Sequence, residues 1–261
     1  MRKTLRLSDG STLGLIEAGE GLPLVFIHGV GLRAEAWAPQ ISDLQSKFHI
    51  FALDMPGHGQ TDMLRNSAEL SDYVAWAAMV LRALHLGPVA LAGHSMGALI
   101  AMGVAVAHPD LVDRLAILNG VYRRSDAAKA AVLARSDEIA RGIIDPYAPL
   151  SRWFDIGDPI RDQVQDWLQS VDPLGYAAAY RAFAMGDCIY AAALPDIRAK
   201  SLVLTGEMDG NSTPDMAHAM AALIPRAQVS VIAKHRHMVN LTAPSAVTNA
   251  LKYWLSEAEN D

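Results

Sequence analysis

Ser95 stands between two glycines in Gly93-His94-Ser95-Met96-Gly97, with an apolar run of strand length before it and an alanine-rich segment after it. A strand that reverses directly into a helix strains the residue at its apex. Side chains two positions to either side would meet the opposing chain, so both flanks call for glycine. Such an apex stands the hydroxyl out above a sheet and leaves the Met96 N–H at a helix start with no intrahelical acceptor. The chemistry this suits is nucleophilic attack on a carbonyl, with the developing negative charge beside that N–H. A serine hydroxyl near neutral pH needs a base, and the base needs an orienting carboxylate. Asp209 follows Gly206-Glu207-Met208, and His237 ends Lys234-His235-Arg236-His237. His235 is the alternative base, and Asp215 and Asp187 are the alternative carboxylates.

These residues gain meaning from the elements that must carry them. Residues 2–7 and 12–18 read as two strands around the turn Asp9-Gly10-Ser11. Leu24-Val25-Phe26-Ile27 and Ile50-Phe51-Ala52-Leu53 are continuous apolar runs, the pattern of strands buried on both faces. The first runs into His28-Gly29-Val30-Gly31 and the second into Asp54-Met55-Pro56-Gly57-His58-Gly59, both at the carboxyl edge where open α/β sheets bind ligands. A helix is expected over 70–85, then the Ser95 strand and helix, then a strand over 115–118. Further strands over 201–205 and 229–232, with helices over 214–223 and 244–255, resume that rhythm after a break. The pattern predicts a mostly parallel, doubly wound α/β sheet of about eight strands. The break, residues 121–194, holds no convincing strand. It reads as an all-helical insert with helices near 126–141, 159–170 and 173–185. Residues 1–120 and 195–261 are thus the expected core, and 121–194 the expected lid. Trp153, Phe154, Trp167, Tyr176, Tyr180 and Phe183 concentrate aromatic rings in the insert, and a lid needs an apolar underside.

Composition narrows the class further. The chain has 261 residues, 51% hydrophobic and 19% charged, the balance of an ordered globule. A net charge of −6 with no basic run argues against a nucleic-acid partner. The lone Cys188 offers neither a disulfide nor a thiolate metal cage. No window approaches the ~20 apolar residues of a membrane span, and the first residues lack a signal peptide's apolar stretch. A cytoplasmic enzyme without cofactor or metal, and without a membrane partner, is the expectation. Oligomeric state is left open, a homo-oligomer included.

Taken together, the His28-Gly29 turn, the Asp54-x-x-Gly57-x-Gly59 loop, the Ser95 motif, Gly206-Glu207-Met208-Asp209 and His237 with Pro244 beyond resemble the α/β-hydrolase superfamily. The resemblance implies Ser95 as nucleophile, His237 as base and then acid, and Asp209 as its orienting carboxylate. It implies an oxyanion hole from the Val30 and Met96 N–H groups. His28, Gly29, Arg33, Trp37, Trp153 and Met185 are the expected substrate-contacting residues. Two departures stand out: no glycine precedes His237, and the loop from Asp209 to Pro214 is one residue longer than usual. A serine at the apex excludes the aspartate-dependent dehalogenase and epoxide-hydrolase chemistries. Asp172-Pro173-Leu174-Gly175-Tyr176 through Phe183 is similar to the last lid helix of 3-oxoadipate enol-lactonases and related small-acid hydrolases. The implied substrate is a small ester, lactone or enol-type acid, with Arg33, Arg123, Arg124, Arg152 or Arg181 holding a carboxylate. Carbon–carbon hydrolysis of meta-cleavage products, cofactor-free perhydrolysis and a triad-retaining receptor are the alternatives.

Overall fold

The computed structural model describes residues 1–256, so the last five residues of the expected core lie outside the described residues. Eight strands form one sheet: β1 (Arg2–Arg6), β2 (Thr12–Ala18), β3 (Leu22–Ile27), β4 (Phe48–Leu53), β5 (Val89–His94), β6 (Val112–Leu118), β7 (Lys200–Gly206) and β8 (Ala227–Ile232). Their order across the sheet is β1-β2-β4-β3-β5-β6-β7-β8. β1 pairs antiparallel with β2, and β2 antiparallel with β4. The remaining pairings are parallel, with Ile27 beside both Leu53 and Gly93 at the carboxyl edge. Chain order reverses at β3 and β5, so this edge opens a crevice there.

Alternation along the strands builds two apolar layers. In β3, Val25 and Ile27 join the layer of α2 (Leu70–Ala83), α3 (Met96–Ala107) and α8 (Pro214–Leu223). Leu24 and Phe26 point the other way, toward α1 (Ala38–Leu44), the short α9 (Val239–Thr242) and α10 (Pro244–Ser256). Trp37 is fully buried in this second layer, its ring stacked on Phe26 at 4.4 Å.

Between β6 and β7 lie α4 (Asp126–Ala140), α5 (Tyr147–Trp153), α6 (Arg161–Ser170) and α7 (Pro173–Gly186), with no strand among them. Asp172 caps α7 by accepting the Gly175 N–H at 2.7 Å, and Pro173 occupies the first turn, where no N–H is missed. α7 packs into the main core through Tyr176, Ala179 and Phe183. α5 and α6 instead form a smaller cluster in which Leu150, Trp153 and Leu168 meet Leu32 and Met238. Neither α1 nor α5 is among the expected helices. Each has seven residues and a proline in its first turn, too short for a periodic signal. Among the described residues no helix is long and apolar enough to cross a membrane.

Leu91 lies at the centre of β5 with no exposure. Leu91→Ala should therefore cost about 2–5 kcal/mol of unfolding free energy, read from a shift in urea midpoint at constant slope.

Candidate active site

The turn from β5 into α3 puts Ser95 at φ 56°, ψ −115°, outside the regions ordinary residues adopt. It is held there because the chain closes on both sides. A Cβ on Gly93 would strike the Gly97 carbonyl, and one on Gly97 would strike the carbonyls of Ile27 and His28. The hydroxyl lies 3.1 Å from Nε2 of His237, and Nδ1 of the same ring lies 2.8 Å from Oδ2 of Asp209. All three residues are buried. Each comes from the carboxyl edge of the sheet: Ser95 after β5, Asp209 after β7, His237 after β8.

Asp209 is surrounded by donors. Asn119 Nδ2 donates to Oδ2 at 2.7 Å, and the Asn211 and Ser212 N–H groups donate to Oδ1 at 2.8 and 3.1 Å. The last two belong to the long Asp209–Pro214 loop, whose extra length folds back onto the carboxylate. Burial alone would raise the Asp209 pKa. The charge and hydrogen bond of His237, with the Asn119 and Ser212 donors, outweigh it and hold the group at about 2. An ionised acceptor on Nδ1 fixes the imidazole tautomer, leaving Nε2 bare to accept the Ser95 proton. An array of this kind can take a proton from a hydroxyl as it attacks and return it to a leaving group. Val30 and Met96 carry N–H groups that donate to no acceptor among the described residues. The alternatives are elsewhere: His235 bonds Thr242 at 2.9 Å, Asp215 is exposed at the start of α8, and Asp187 closes α7.

Three further histidines are buried and neutral. His28 donates Nδ1–H to the Gly29 carbonyl and accepts the Met55 N–H on Nε2. His58 donates Nδ1–H to the Pro56 carbonyl and accepts the Gly31 N–H on Nε2. His94 donates Nε2–H to the His237 carbonyl at 2.9 Å. Burial pushes His58 down to about 4 and His94 to about 3, and holds His28 well below its ordinary range. The Asp54 carboxylate ties the neighbouring loops by accepting the Ala34 and Gln60 N–H groups at 2.9 Å and pairing with Arg2.

A cavity of about 230 Å³ opens on Ser95 and His237. α4, α5 and α7 form its far wall, with Trp153 stacked on His237 at 5.7 Å. Arg124, Arg135 and Arg152 all line it. Arg124 is buried, paired with Asp187 at 3.4 Å and stacked over Phe183 at 4.4 Å. Arg135 donates to the Asp145 carbonyl at 2.7 Å. Arg152 is exposed and carries no ion pair among the described residues.

Of the six expected substrate-contacting residues, Trp153 lines this cavity and five do not, while Val30 of the expected oxyanion hole lines it too. His28 and Gly29 lie behind the site, where a Cβ on Gly29 would sit 3.1 Å from the Ser95 Cβ. Trp37 belongs to the opposite core layer, because it occurs in a buried turn before α1. Arg33 bonds Ser170 at 2.7 Å, facing a separate surface cleft. Met185 falls on the outer side of α7, half exposed. Arg123 and Arg181 are exposed and outside the cavity. Arg135 and Asn119 were missed. Asn119's only sequence signal is its place at the carboxyl end of a parallel strand, and Arg135 has none.

The chain belongs to the alpha/beta hydrolase family, whose model matches residues 24–251. It is 50% identical over 256 residues, 97% of each chain, to the (E)-2-((N-methylformamido)methylene)succinate hydrolase of Acinetobacter baylyi. It is 29% identical, over 92% of this chain and 90% of the other, to the 2-(acetamidomethylene)succinate hydrolase of Mesorhizobium japonicum. The enol-lactonase of Burkholderia xenovorans superposes with a TM-score of 0.89 over 98% of this chain and 100% of its own, at 22% identity, a likeness of fold alone.

The buried histidines tie stability to pH. In the unfolded chain a histidine binds its proton below about 6.5. In the folded chain His58 and His94 stay neutral until about 4 and about 3. Stability is therefore full above the unfolded value and falls as pH drops from there toward the folded values. Urea unfolding across that range should show declining free energy with proton uptake. A flat profile would contradict the neutral assignment.

Proposed function

We propose that this chain is a serine hydrolase that cleaves the amide bond of an N-acylaminomethylene succinate, a small unsaturated dicarboxylic acid. The observation that carries this is the 50% identity, end to end, with a hydrolase named for such a compound. The second relative, named for the acetamido analogue, points the same way. The cavity supports the reading. It is small, apolar on its aromatic side, and lined by three arginines beyond the serine; Arg124 pairs with Asp187 and Arg135 with Glu138, which leaves Arg152 to meet a substrate carboxylate. The ester or enol-lactone expected from the motifs gives way, since only a likeness of fold favours it. The same acyl-enzyme chemistry serves an amide, so the roles expected of the site residues carry over.

In the proposed mechanism His237 takes the Ser95 proton as Oγ attacks the acyl carbonyl. The resulting oxyanion is held by the Val30 and Met96 N–H groups, donors worth about 2.7–4 kcal/mol each in sites of this type. The carbonyl–nitrogen bond then breaks, and the nitrogen leaves with a proton from His237. Its lone pair is conjugated through the alkene to a carboxylate, so it departs more readily than an ordinary amine. Water, deprotonated by His237, attacks the acyl-enzyme and releases formate or acetate. One water is consumed, and the enamine and the acid are the products. Asp209 stays ionised throughout and steadies the imidazolium. The helical block, residues 121–194, acts as the lid that keeps this pocket dry.

The test is turnover of (E)-2-((N-methylformamido)methylene)succinate, with formate measured as product, beside p-nitrophenyl acetate and an enol-lactone. Preference for the amide is expected, and preference for the lactone would overturn the substrate assignment. Ser95→Ala should abolish turnover while the melting temperature survives. Arg152→Ala, which leaves no buried partner behind, should raise KM about tenfold to a hundredfold for the dicarboxylate. It should leave p-nitrophenyl acetate hydrolysis nearly unchanged.

A further inference from the structure

We infer that His58 is a positioning residue for the oxyanion loop, and that its turn ties this loop to the lid helix above it. The inference rests on the proposed role of the Val30 N–H. Val30 sits between two anchored residues. Before it, His28 is held by Met55. After it, the Gly31 N–H donates to His58 Nε2 at 2.9 Å. Gly31 is buried at φ +80°, a conformation that its neighbours must hold in place. His58 has its tautomer set by the Pro56 carbonyl, so Nε2 is an acceptor ready-made for that amide.

The same turn meets the lid. A Cβ on Gly57 would sit 2.5 Å from the Gly175 Cα, and one on Gly175 would sit 2.6 Å from the Gly57 Cα. Two backbones therefore touch here with no side chain between them. Gly31 is covered from the same direction, since a Cβ on it would sit 3.1 Å from the Tyr176 ring. Tyr176 follows Gly175 on α7 and lines the cavity. The His58 turn thus contacts the oxyanion loop on one side and the first turn of α7 on the other. Without its acceptor, the buried Gly31 N–H must turn to find another, and the adjoining Val30 peptide turns with it. A donor moved in this way weakens transition-state binding while leaving ground-state binding nearly intact.

The test compares His58→Leu, which removes the acceptor, with His58→Gln, whose amide oxygen can replace it. Rates are counted per active site labelled by phenylmethylsulfonyl fluoride. His58→Leu should lower kcat about tenfold to a hundredfold with KM within about twofold, and His58→Gln should recover most of the loss. A His58→Leu enzyme with wild-type kcat per titrated site, or a His58→Gln enzyme equally impaired, would overturn the inference. If His58→Leu does not fold, His58→Ala with added imidazole reads the same contact. Restored kcat supports the inference, and no restoration opposes it. Failure of the wild-type label to attach at Ser95 would instead defeat the proposed function itself.

Discussion

The constraint on which the site depends is the closure of the chain around Ser95. The residue occupies a backbone conformation that costs about 1–3 kcal/mol in isolation. It persists because the Gly97 backbone lies against both Gly93 and the end of β3. Those contacts are made by backbone atoms of three elements at the sheet's chain-order reversal. The backbone position of Ser95 is thereby fixed by the main chain of the fold. Nearly everything else at the site is arranged relative to that apex. His237 reaches it from β8, the His28 loop lies directly behind it, and the Met96 N–H follows it at once.

Around this rigid point, charge is distributed unevenly and deliberately small in extent. One carboxylate, Asp209, is kept ionised by Asn119, two backbone donors and His237. The remaining buried histidines are kept neutral by desolvation, each with a ring nitrogen donating to a carbonyl. A neutral imidazole can accept an amide proton where an imidazolium cannot. His28 and His58 use this to hold loop N–H groups that have no strand partner. The cationic charge is confined to the lid side of the cavity. Of its arginines, Arg124 pairs with Asp187 and Arg135 with Glu138, and Arg152 carries no ion pair among the described residues.

Much of this was legible in the sequence because it is local. The apolar runs, glycines and prolines that mark strands and turns act within a few residues, so all the parallel strands and the helices α2, α3, α4, α6, α7, α8 and α10 were anticipated. His235 and His237 lie in one turn, and the spacing to Pro244 favoured the second; the fold aims His237 at Ser95 and His235 at Thr242. Trp37, expected to contact substrate, does not: the chain turns into α1 there and buries the ring under the sheet.

The sequence by itself determined the strand-turn-helix apex at Ser95, the α/β rhythm, and the strand ends that carry Asp209 and His237, because steric and hydrophobic patterns of short range dictate them. Tertiary structure alone decided which arginines face the cavity, that Asn119 steadies Asp209, and that the Gly57 turn abuts α7. Those outcomes depend on how the helices between β6 and β7 pack across the sheet edge, which is a matter of shape between segments distant in the chain.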